Sequence, residues 1–191
     1  MALFTEAAVR ARAQRAATNF SKTASAVLTA KVESQASVAQ HDVFLSHAYE
    51  DREKVLGAAL MIEDLGYSVY IDWRDDSTLD RSKITRATAE KLRVRMMKSK
   101  SLFYSTTENA SESKWMPWEL GFKDGDNRKV AVLPIMKNDT GSFTGQEYLG
   151  IYPYVTHGKS TNGKRYLWIR YSSNCYINFD HWLEGKHPYE H

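Results

Sequence analysis

Short apolar runs alternating with amphipathic helical segments predict an α/β fold, a mostly parallel sheet with helices on both faces. Two observations carry this expectation. The runs are brief and nearly all apolar, as in Asp42-Val-Phe-Leu-Ser46 and Val130-Ala-Val-Leu-Pro-Ile-Met136, which suits strands buried on both sides. Between them, apolar residues recur at helical spacing. A chain of 191 residues, 42% hydrophobic and 12% aromatic, can bury a sizeable core as one domain with an appendage.

Residues 1–40 are rich in Ala, Ser and Thr and contain no Gly or Pro, which reads as a helical arm polar enough to be solvated. An oligomerisation helix or an Arg-rich targeting segment would share that composition. The texture changes at His41. A strand over Asp42–Ser46 leads into a helix across Asp51–Leu65, whose apolar face is Val55, Leu56, Ala59, Leu60 and Ile62 and which ends at Gly66. Ser68–Asp72 is the next strand. A polar loop over Trp73–Arg81 precedes a helix across Ser82–Ser99, with Ile84, Thr88 and Leu92 on one face. Ser101–Ser105 forms the third strand, Val130–Met136 the fourth and Ile151–Thr156 the fifth. Beyond residue 157 the chain is irregular and aromatic, with a hairpin expected at Asn162-Gly163.

Several function classes are excluded by composition. No apolar run approaches the roughly 18–20 residues needed to cross a bilayer. The lone Cys175 permits neither an internal disulfide nor a Cys-based zinc site, which points to a reducing cytoplasm and to Cys175 as a small buried hydrophobe. Residues 1–40 carry the whole net charge of +3, through Arg10, Arg12, Arg15, Lys22 and Lys31 against Glu6 and Glu33. The body is neutral, so nucleic acid is not the expected partner, and no metal is expected.

The densest chemical signal is Ser113-Lys-Trp-Met-Pro-Trp-Glu-Leu-Gly121. Glu119 follows Trp115 by one helical turn, on the same face. Pro117 is tolerated only in a first turn, and the capping residues of 109–113 place the helix start there, with Glu119 about two turns from its positive end. A carboxylate beside indoles is either an ion-pair partner, with Lys123 at i+4, or a reactive acid. Spacing leaves both open. In a parallel sheet, ligands bind outside the carboxyl ends of the strands. Ser46 and His47, Asp72 and Trp73, and Ser105–Thr107 all arrive at that edge, and Glu119 lies in the element after the third strand.

Four stretches in order carry a family likeness over residues 41–157. Asp42-Val-Phe-Leu-Ser-His47 resembles the first motif of TIR (Toll/interleukin-1 receptor) domains. Tyr70-Ile-Asp-Trp73 and its following loop resemble their second strand and BB loop. The run from Lys100 through Gly121 is similar to bacterial TIR proteins, with Trp115 and Glu119 matching the Trp and Glu of the NAD-cleaving motif. The resemblance implies a flavodoxin-like five-stranded parallel sheet, and cleavage of the nicotinamide–ribose bond of NAD by Glu119. It implies a cytoplasmic protein of antiphage defence, of the kind found in Thoeris systems, with self-association through the TIR domain and a separate effector sensing the product. It also favours an arm for residues 1–40. Two departures stand out. Arg74-Asp75-Asp76 replaces the Arg-Asp-x-x-Pro-Gly of receptor BB loops, and Ser46-His47 replaces Ser-Tyr, which puts His47 in the pocket lining.

The expected substrate contacts are Ser46 and His47 on ribose or phosphate, Trp73 stacking on a ring, Arg74 and Arg81 on the pyrophosphate, and Trp115 beside Glu119. There is no glycine-rich phosphate loop, so NAD is expected as a substrate and no cofactor is called for. Nicotinamide departs as a neutral molecule, so a single carboxylate suffices where glycosidases need two. The alternative is a non-enzymatic module in which the same fold pairs TIR to TIR through residues 74–81.

Overall fold

The computed structural model describes residues 1–20, 40–76, 84–107 and 113–191. In chain order the strands are β1 (Phe4–Thr5), β2 (His41–Ser46), β3 (Val69–Tyr70), β4 (Ser99–Thr106), β5 (Val130–Met136), β6 (Tyr154–Lys159), β7 (Arg165–Arg170), β8 (Cys175–Asn178) and β9 (Tyr189–Glu190). The α-helices are α1 (Glu6–Phe20), α2 (Arg52–Glu63), α3 (Asp72–Asp75), α4 (Arg86–Met97), α5 (Met116–Asn127) and α6 (Phe179–Leu183).

The strand order is β3-β2-β4-β5-β6-β7-β8-β9, with β1 pairing alongside β5. The five strands from β3 to β6 run parallel, in the flavodoxin-like order 2-1-3-4-5. The chain reverses its winding between β2 and β4, which is where such sheets open a crevice. The expected five-stranded sheet therefore forms one side of a larger one, extended beyond β6. From β6 onward the pairing turns antiparallel, through a hairpin whose Gly163 takes φ 79°. Residues 165–178 read as irregular because both faces of their strands are apolar. Leu167, Ile169 and Ile177 enter the core while Tyr166, Trp168 and Tyr176 form an aromatic ladder outside it. Cys175 sits half-buried in β8 rather than in the core.

Alternation along the strands sorts side chains onto two faces. Val43, Leu45, Phe103, Ala131 and Leu133 pack under α1, α2 and α6. Phe44, Leu102, Tyr104 and Val130 pack under α4 and α5, against Leu92, Met96, Met116 and Leu120. Ser46 continues the second set by parity, so its hydroxyl points toward α5.

Residues 1–20 are not a solvated arm. Phe4 and Thr5 pair with Ile135 and Met136, and Ala2 exchanges backbone hydrogen bonds with His157 in β6. The apolar residues Val9, Ala13 and Ala16 fall at roughly one-turn intervals along α1 and are buried. The composition hid this because small alanines form the stripe. Gly57 of α2 allows the helices to touch: a Cβ there would lie 1.8 Å from the Val9 carbonyl oxygen. Residues 21–39 lie outside the described set.

Candidate functional site

Helix α5 begins at Met116, with Pro117 in the first turn and Trp115 as N-cap; the Met116 N–H donates to Ser113 Oγ at 3.3 Å. The start is thus later than the capping residues 109–113 suggested, because only a first-turn position tolerates the proline ring. Residues 109–112 are outside the described set. Glu119 consequently stands in the first turn, close to the positive end of the helix.

Glu119 is fully buried, and Ser46 Oγ donates to its Oε2 at 2.6 Å. Ser46 is the last residue of β2, at the reversal point of the sheet. The Glu119–Lys123 pair that spacing allowed is not what Lys123 makes. Its ammonium donates to the Met96 and Ser99 carbonyls and to Asp126, at 3.0, 2.7 and 2.8 Å, using all three donors. Lys123 therefore moors α5 to the end of α4 and the start of β4. Trp115 is buried beside them, edge-on to Trp118 with ring centroids 5.5 Å apart.

His47 does not line an open pocket. It is buried; Nδ1 donates to the Leu45 carbonyl at 2.8 Å and Nε2 lies 3.3 Å from Asp72 Oδ1. A carbonyl only accepts, so Nδ1 carries a hydrogen, and Nε2 is the ring nitrogen that faces the Asp72 carboxylate. The pair ties the end of β2 to α3, beside the serine that holds Glu119. Asp72 is a site residue the sequence offered only as a strand end.

Trp73 and Arg74 leave the site for a physical reason. The expected loop opens instead with α3, a single turn whose residues point back into the fold. Trp73 packs against the α2-side core. The Arg74 guanidinium donates to Glu63 at 2.7 Å, to Asp75 at 2.9 Å and to the Val69 carbonyl, and is buried. It is committed to this network rather than to a pyrophosphate. Arg81 is outside the described residues.

A cavity of about 730 Å³ opens at the carboxyl ends of β4 and β5, on the α5 side of the sheet. Tyr104, Thr106 and Thr107 form its floor, and Phe143, Gln146, Tyr148 and Leu149 part of its roof. Tyr104 and Ser46 are register partners on adjacent strands, so the cavity begins about 5 Å, one strand spacing, from the residue that holds Glu119. Burial, with Tyr148 and Glu119 nearby, pushes the Tyr104 phenol well above its ordinary range, so it stays a neutral donor. Nothing in the strand assignments pointed to the roof. Its signal in the sequence is the interleaving of Gly141, Phe143, Gly145 and Tyr148 between β5 and β6. Among the described residues, no group of three His, Cys, Asp or Glu could hold a metal, and no helix is long and apolar enough to cross a membrane.

A flavodoxin-like sheet with a buried Ser–Glu contact at its reversal point, the glutamate one turn after a tryptophan, defines a TIR-type domain. No family model matches the chain. It is 50% identical over 146 residues, 75% of its length and 76% of the relative's, to a Bacillus cereus (strain MSX-D12) protein named as a probable 3′ cyclic ADP-D-ribose synthase, ThsB′. It is also 34% identical over 83 residues, 43% of its length, to a Cytobacillus dafuensis protein named "Putative cyclic ADP-D-ribose synthase TIR2", of which this match spans 22%. The chain belongs to the bacterial TIR proteins of the Thoeris type.

Proposed function

We propose that this protein cleaves the nicotinamide–ribose bond of NAD and closes the product to a cyclic ADP-ribose, as a signal in defence against phage. Both relatives carry names of cyclic ADP-ribose synthases, and the B. cereus name specifies the 3′ form. The observation that carries the reading for this chain is the 2.6 Å contact between Ser46 and the buried Glu119. It holds a carboxylate at the sheet edge where a ligand binds.

The chemistry suits one carboxylate. Nicotinamide leaves neutral, taking the electron pair of the broken C–N bond, so no acid need protonate it. The ribose carbon left behind gains positive character, and Glu119 stabilises it. A unit charge about 4 Å away at an effective dielectric near 20 is worth about 4 kcal/mol, roughly a thousandfold in rate. Ser46 orients the carboxylate, and Trp115 limits water around it.

NAD is a substrate here, and the chain works in the cytoplasm. It self-associates through the TIR domain, and a separate effector reads the product. The test is nicotinamide release from NAD by the full chain and by Glu119→Gln, with products separated by chromatography and mass spectrometry. Loss of release in Glu119→Gln, with an unaltered thermal melt, is the expected result. Release that survives the substitution removes Glu119 from the reaction, and no release by the wild-type chain at any concentration removes the activity.

A further inference from the structure

The cavity at the carboxyl ends of β4 and β5 has a lining unlike that of a phosphate site; Glu119 lies behind that lining, near Tyr104. Among the described residues that line the cavity, none is Lys or Arg. It offers hydroxyls from Thr106, Ser142 and Thr144, the Gln146 amide, and the rings of Phe143 and Tyr148; the Thr107 and Thr140 hydroxyls donate to Asp51 and to the Ser142 carbonyl, and Glu147 adds a carboxylate at the rim. Neutral donors and acceptors with aromatic faces match a nucleoside. A glutamine amide can pair with the Hoogsteen edge of adenine, and aromatic rings stack on any base. About 730 Å³ lies within the range of small-molecule sites.

Two further observations point to a ligand. Thr106 Oγ1 is buried on the cavity wall with no hydrogen-bond partner among the described residues, an arrangement that costs free energy unless something fills it. The roof is also a built structure. Glu147 holds φ 50°, and a Cβ on Gly145 would come within 2.6 Å of the Leu149 backbone. Beneath it, Phe143, Leu149 and Tyr152 pack on Leu3, Val132 and Tyr154. Tyr152 is tied to α5 through Asp124, at 3.0 Å.

We propose that this cavity receives the adenosine half of NAD and folds it back toward Glu119, so that its residues set the ratio of cyclic to linear product. The proposal rests on the NAD-cleaving function above and goes beyond it. Ring closure needs an oxygen or nitrogen of the adenosine half about 3–3.5 Å from the ribose carbon that lost nicotinamide. An adenosine held over Tyr104, on the strand next to Ser46, lies on the side of the sheet that carries Glu119, whereas one held across the molecule could not fold back to it. The adenosine atom forms the new bond to that carbon as nicotinamide leaves with its electron pair. For a hydroxyl nucleophile, the proton passes to the Glu119 carboxylate and then to solvent. If water attacks instead, the product is linear ADP-ribose.

Gln146 and Tyr148 are exposed, so Gln146→Ala and Tyr148→Ala can be made without opening the core. The experiment compares NAD with nicotinamide mononucleotide, which lacks the adenosine half, using the full chain. The double variant is expected to lose about tenfold to a hundredfold in kcat/KM on NAD, the size of a lost base contact. Its kcat/KM on the mononucleotide should stay within about twofold of wild type, and the cyclic fraction from NAD should fall in favour of linear ADP-ribose. Equal loss on both substrates, or an unchanged product ratio with unchanged kcat/KM on NAD, overturns the assignment while leaving the NAD-cleaving function standing. Absence of nicotinamide release by the wild-type chain would instead remove that function.

Discussion

Replacing Ser46 by alanine deletes one oxygen and leaves a fully buried carboxylate without the hydroxyl that contacts it at 2.6 Å. That distance belongs to the short, charge-assisted range of O–H···O⁻ bonds. Hydrogen bonds to charged groups contribute about 1.5–3 kcal/mol, so at about 1.4 kcal/mol per decade kcat/KM should fall roughly tenfold to a hundredfold. The loss should appear mainly in kcat. Ser46 acts on the reaction by holding Glu119, and a mis-aimed carboxylate weakens transition-state stabilisation more than substrate binding. The assay is initial-rate nicotinamide release across NAD concentrations, with thermal melts of both proteins to show that the variant is folded. A folded Ser46→Ala protein with unchanged or raised kcat would refute the reasoning, because the hydroxyl would then not hold Glu119 in its working position.

Two further outcomes follow from the geometry. Arg74→Ala leaves Glu63 and Asp75 without their buried cation, and breaking such a network costs about 3–5 kcal/mol in urea denaturation; KM for NAD should hardly change, and a tenfold rise in KM at full stability would return Arg74 to the substrate. Acid should weaken the fold in two stages. Burial holds the His41 and His157 imidazoles below the ordinary 6.5, so the unfolded chain takes up protons first and stability declines as pH drops below about 6.5 toward the folded values. Asp42 opposes its own burial with bonds from Lys100 and Ser68 that keep its carboxyl below 3.8, and its contribution is lost only at lower pH still. Urea midpoints from pH 8 to about pH 2 check this, and His157→Gln should flatten the first stage.

The strands were legible where burial on both faces makes them continuous apolar runs, and β5 matches its expected bounds residue for residue. Glu119 was legible because a charged residue in an aromatic setting stands out in any window. What spacing could not supply was its partner. Lys123 at i+4 looked suitable on paper, yet β4 and α4 present carbonyls to its ammonium, and the serine that meets Glu119 lies 73 residues away. Arg74 misled for the reverse reason, since a charged residue in a polar stretch reads as free for a ligand. Only the fold brings Glu63 and the Val69 carbonyl to it. The cavity roof was missed because its chemistry resides in mostly uncharged residues with no period.

The first twenty residues matter for how self-association can be tested. If they were a detachable arm, deleting them would reduce activity most at low protein concentration. Their packing predicts otherwise. Leu3, Phe4 and Val9 are essentially fully buried, and removing them forfeits about 1.5–3 kcal/mol each, a total comparable with the roughly 5–15 kcal/mol stability of a domain. The deletion also unpairs β1 from β5 and exposes the face of α2 at Gly57, where no other described element comes as close. Activity should therefore be lost equally at all protein concentrations, and the cooperative thermal transition should disappear with it. A truncated chain that still melts cooperatively and regains activity when concentrated would show that residues 1–20 act between chains, against what their burial predicts.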